Sequence, residues 1–81
     1  MQAKQEVTVK HLAVVVKTRR KTLGLSQEEL AHQVSIDRTY ASQIERAIAN
    51  PSLNVLCNLA TVLNLTLAQL LGEQDIPPVA K

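Results

Sequence analysis

Eighty-one residues, 46% apolar and 20% charged, make one small folded domain and not a disordered chain. Tyr40 is the only aromatic residue and Cys57 the only cysteine, which excludes an aromatic stacking platform, an internal disulfide and a cysteine-built zinc site. The net charge of +2 is unevenly spread: Lys10 to Arg46 carries seven bases against four acids, whereas the 26 residues from Ala47 to Gly72 carry no charge, a division that suggests one surface for a polyanion and another for burial.

Residues 1–8 alternate charge and polarity and read as an N-terminal arm, with no secretory leader. The domain is expected over 9–72. Its first helix is marked by Val9, Leu12, Ala13, Val16, Arg20 and Leu23, all at helical spacing. Thr8 offers an N-cap, with Val7 and Leu12 as its hydrophobic staple, and Gly24 stops the helix behind Arg19, Arg20 and Lys21. Arg20 lies within the apolar stripe, so it needs a partner. Glu45, at the edge of the apolar arc of the third helix, is the expected one. The longest apolar run, Leu12–Val16, is far too short to span a bilayer.

Ser26-Gln27-Glu28-Glu29 is a capping box that starts a second helix, about Gln27 to Gln33, burying Leu30, Ala31 and Val34. Asp37 caps a third helix over about 38–47. Asn50-Pro51-Ser52 is turn chemistry, and Ser52 caps a fourth helix reaching about Leu63. Thr66-Leu67-Ala68-Gln69 is a second capping box, for a short fifth helix ending at Gly72. Residues 73–81, with Ile76-Pro77-Pro78-Val79, read as an extended tail. The expected fold is all-α, five short helices.

Two helices joined by so short a turn cross steeply, as a helix-turn-helix, with the small Ala31 at their contact. On the third helix Arg38, Thr39, Ser42, Gln43 and Arg46 fall on one arc that contains no acid. Ala41, Ile44 and Ile48 fall opposite, with Tyr40 and Glu45 at the edges. Cations, amides and hydroxyls in that arrangement suit the edges of base pairs in a major groove, although an ordinary solvated face has a similar composition.

The stretch Gln27 to Arg46 (QEELAHQVSIDRTYASQIER), preceded by LGLS, resembles the helix-turn-helix of Cro and the lambdoid-phage repressors. Asp37-Arg38-Thr39-Tyr40, Ser42 and Ile44-Glu45-Arg46 further resemble the small controller proteins of restriction–modification systems. The resemblance implies a lambda-repressor-like DNA-binding domain that regulates transcription in the cytoplasm, as a homodimer on a palindromic or pseudo-palindromic operator. It implies that Gln27 contacts phosphate and braces the recognition helix, that Arg38, Thr39 and Gln43 read bases, and that Ser42 and Arg46 hold phosphate or flanking bases. Tyr40 is expected in a mixed role. Two positions depart from the family pattern. Ser35 stands where glycine is usual and must tolerate or avoid a left-handed backbone. Ala47 replaces a second common glycine, which allows the third helix to run on toward Ile48.

Cys57 is expected as a buried thiol on the apolar side of the fourth helix, and His11 and His32 as solvated side chains rather than metal ligands. No cofactor, small-molecule effector or catalytic grouping is expected. The fourth helix has an apolar arc of about 220°, more than the roughly 100° that a small core needs. Val55 and Val62, with Leu67 and Leu71 of the fifth helix and Ile76 and Val79 of the tail, are therefore expected in a dimer interface. The alternative is that the fifth helix and tail cover this surface within one chain. A rival function is a protein-interaction module that keeps the fold but reads a protein surface.

Overall fold

The computed structural model describes the backbone of residues 2–72 and the side chains of residues 8–72. The expected tail, with Ile76 and Val79, and the side chain of Val7 lie outside the described residues. Among those described, the chain forms α1 (Gln2–Thr22), α2 (Gln27–Val34), α3 (Arg38–Glu45), α4 (Leu53–Leu63) and α5 (Leu67–Leu70), with no strand.

Helix α1 begins at Gln2, so residues 2–8 are helical rather than an arm and Thr8 lies inside the helix instead of capping it. The reason is local. Gln, Ala, Lys and Glu are good helix formers, and neither glycine nor proline interrupts the chain before Gly24. The other starts carry the expected caps. At α2 the Glu29 amide donates to Ser26 Oγ (3.0 Å) while the Ser26 amide donates to Glu29 Oε1 (2.7 Å). At α5 the Gln69 amide donates to Thr66 Oγ1 (3.0 Å) and the Thr66 amide to Gln69 Oε1 (2.8 Å). Ser52 Oγ accepts from the Val55 amide at 3.3 Å to start α4.

Helices α1 to α4 all stop the same way, on one left-handed residue: Gly24 (φ 77°), Ser35 (67°), Ala47 (60°) and Asn64 (59°). The next amide in each case reaches back to close the final turn, as Leu25 to the Arg20 carbonyl (3.0 Å), Ile36 to Ala31 (2.9 Å), Ile48 to Gln43 (2.9 Å) and Leu65 to Ala60 (2.9 Å). Ser35 thus adopts the left-handed conformation that the usual glycine would take. Ala47 does so too, which ends α3 at Glu45 and corrects the expectation that the helix runs on toward Ile48. Ile48 is accordingly 60% exposed instead of continuing the buried arc.

The core is a single cluster built from Leu12 and Val16 of α1, Leu30 and Val34 of α2, Ile44 of α3, Leu59 and Leu63 of α4, Leu65, and Leu70 of α5. Helix α4 corrects a second expectation. It turns Leu59, Ala60 and Leu63 inward, leaving Cys57 exposed and Leu53 64% exposed. On a helix apolar around most of its circumference, the pattern does not fix which side faces inward. Packing does.

Candidate nucleic-acid interface

Three residues separate α2 from α3. Asp37 Oδ2 accepts from the Thr39 amide at 2.8 Å, so its carboxylate is engaged with the start of α3. Ala41 and Ile44 anchor that helix in the core. Its opposite face, with Gln27 at the start of α2, lines one cleft of about 290 Å³ whose walls are Gln27, Arg38, Thr39, Ser42, Gln43 and Arg46. Arg38, Thr39 and Arg46 are exposed, while Gln27, Ser42 and Gln43 are half-buried. No acid lines this cleft. Tyr40 does not line it either: the ring packs partly against the core.

Glu45, the nearest acid on the helix, is turned inward, with a side chain only 2% exposed. Arg20 Nε donates to Glu45 Oε2 at 2.7 Å and Nη2 to Oε1 at 3.0 Å, while Nη1 donates to the Leu25 carbonyl at 2.9 Å. Gln27 Nε2 adds a third donor to the carboxylate, at 3.1 Å from Oε1. The structure thus brings Arg20, Glu45 and Gln27 into one network that joins α1, α2 and α3. The hydrogen bonds with Glu45 hold the Arg20 guanidinium above its ordinary pKa, against the opposing effect of burial. A bidentate, nearly dry ion pair of this kind fixes the orientation of the helix carrying it.

Val55, Val62, Leu67 and Leu71 are half-buried and pack against the core, within the uncharged stretch of sequence. His11 and His32 are both exposed. Sequence reasoning missed one buried cation. Arg19, read as a helix-end charge, is 6% exposed, and its Nε donates to the Leu63 carbonyl at 2.9 Å. A signal was available, since Leu12, Val16, Arg19 and Leu23 share one helical stripe. No grouping of three potential metal ligands occurs among the described residues, and no helix among them is long and apolar enough to cross a membrane.

A family model described as Helix-turn-helix matches residues 16–70, the larger part of the chain. Control protein C.MunI of a Mycoplasma species is 40% identical over 57 residues, covering 70% of this chain and 77% of that protein. Among solved structures, the hypothetical transcription factor NHTF from Neisseria superposes with a TM-score of 0.78 at 38% identity, over 89% of this chain and 76% of the other. The restriction–modification controller protein C.AhdI from Aeromonas hydrophila gives 0.72 at 34% identity, over 76% of this chain and 94% of that one. The matched segment contains the whole clamp and the whole cleft, and the chain belongs to the helix-turn-helix family of DNA-binding transcriptional regulators.

Proposed function

We propose that this protein is a sequence-specific regulator that lays α3 in the major groove and binds a palindromic or pseudo-palindromic operator as a homodimer. The acid-free cleft along α3 carries the reading. Arg38, Thr39 and Gln43 line it in the first two turns, with donors suited to base edges: Arg for guanine, Gln for adenine, Thr for either or for a thymine methyl. Gln27, Ser42 and Arg46 flank them and take phosphate, which supplies affinity without sequence information. One Gln27 amide proton is used on Glu45; the second is available to a phosphate oxygen at the start of α2. Tyr40 takes a mixed role, its ring packed and its hydroxyl available to the DNA backbone.

Dimerisation is assigned to α5 and the adjoining edge of α4. Val55, Val62, Leu67 and Leu71 remain half-buried in the single chain, within a stretch that carries no charge. A twofold pairing of this edge covers it and sets two recognition helices about 34 Å apart, one turn of duplex.

Selection from a randomised duplex library, followed by gel-shift titration over a range of salt, tests the reading. The expected result is a defined half-site repeated with twofold symmetry and an affinity that falls steeply with salt. Recovery of no preferred sequence, with weak uniform binding, would instead favour a module that reads a protein surface.

A further inference from the structure

Arg19 and Arg20 are adjacent on the last full turn of α1, and both are buried, at 6% and 9% exposure. They bond to different helices. Arg20 grips Glu45 of the recognition helix at 2.7 Å. Arg19 reaches across 44 positions of sequence to the Leu63 carbonyl at 2.9 Å. Leu63 is the last residue of α4, followed by the left-handed Asn64 that turns the chain toward α5. Its carbonyl is one of those a helix end leaves without an intrahelical donor, and it lies at the negative end of the helix dipole, so a guanidinium there is favoured twice over. Helix α3 packs on α1 and α2, and α1 packs in turn on α3, α4 and α5. One turn of α1 is therefore bonded both to the helix that reads DNA and to the junction between the two helices assigned to dimerisation.

We propose that Arg19 is a positioning residue for operator binding. By bonding the end of α4 it fixes the α4–α5 junction relative to the Arg20–Glu45 clamp, and so sets the separation and angle of the two recognition helices in the dimer. Arg19 touches no DNA in this role. The buried guanidinium holds its planar Nε donor in one direction, and a more flexible or shorter donor at the same place leaves the α4 end free to shift. A shift of one or two ångströms at that junction is amplified at the recognition helices, and its cost falls on the spacing between half-sites rather than on the reading of either one.

The inference rests on the homodimer reading, and the experiment separates the two. The half-site recovered by library selection is placed in palindromes of the selected spacing and of spacings one base pair longer and shorter, and also as a single half-site. Wild type, Arg19→Met and Arg19→Lys are titrated against all four duplexes, alongside thermal unfolding and sedimentation. Arg19→Met keeps the apolar stem without the donor; Arg19→Lys keeps the cation and carries the test if the methionine variant does not fold. The expected result is half-site affinity and dimer assembly within about twofold of wild type, with discrimination between spacings reduced about tenfold, the scale of an ordinary coupling between sites. Equal losses on all four duplexes assign Arg19 a purely structural role and overturn the proposal, as does unchanged discrimination. A wild-type protein that itself ignores spacing removes the homodimer reading, and this inference with it.

Discussion

At the scale of single residues, the largest energetic commitment is the Arg20–Glu45 pair. Three donors converge on one carboxylate that is nearly removed from solvent. Removing one partner leaves the other buried and unmatched, so Arg20→Ala should lower stability by about 3–5 kcal/mol in denaturant unfolding. Replacing Arg20 and Glu45 together by apolar residues should cost much less than the two single changes added, and strict additivity would contradict the pairing. Backbone conformation offers a change of the opposite sign. Ala47 is held at φ 60°, where an L-residue with a Cβ is strained. Ala47→Gly should therefore stabilise the protein by roughly 0.5–1 kcal/mol, the relief of strain exceeding the entropy glycine adds to the unfolded chain. A lower melting temperature for that variant would show that the Cβ contributes packing that outweighs the strain.

At the scale of elements, the helix starts at Ser26, Asp37, Ser52 and Thr66 were legible because each cap is written in side chains that can be read in order. The start of α1 was not. Thr8 has the chemistry of a cap, but residues before it such as Gln, Ala, Lys and Glu are themselves helix formers, and a cap starts a helix only where its own backbone is non-helical. The end of α3 was obscured for a related reason: nothing in the identity of alanine announces a left-handed residue. The cleft residues of α3 were legible from the helical wheel, whereas Arg19 was hidden by reading the last turn of α1 as a charged end rather than continuing the stripe. The capping box of α2 has a pH signature. Hydrogen bonds from Ser26, its backbone amide foremost, hold the Glu29 carboxyl below the usual carboxylate range in the folded state. A depressed folded-state pKa contributes stability above the unfolded-state value and loses it as pH falls through the folded one. Glu29→Ala should therefore lower the melting temperature at neutral pH, and the gap to wild type should close as the pH drops through the acidic range. A gap that stays constant with pH would mean that the ionised carboxylate contributes nothing.

At the scale of the whole molecule, the proposed function assigns DNA binding to the basic half of the chain and self-association to the uncharged half. Leu67→Lys or Leu71→Lys should give monomers with far weaker operator binding, provided thermal unfolding shows the variant still folded. Sedimentation across micromolar concentrations checks this, and a wild type that stays monomeric while binding a palindrome without cooperativity would contradict the dimer. The central claim is that the α3 cleft reads sequence, and comparing Arg38→Ala with Arg46→Ala tests it most directly. Each variant is titrated against the selected operator and against random duplex at several salt concentrations. Arg38→Ala should cost about 1–3 kcal/mol on the operator and relax preference at one base pair per half-site, with little effect on random duplex. Arg46→Ala should weaken binding to both duplexes alike and reduce the salt slope by about one unit. Equal losses on operator and random duplex for Arg38→Ala would contradict the account.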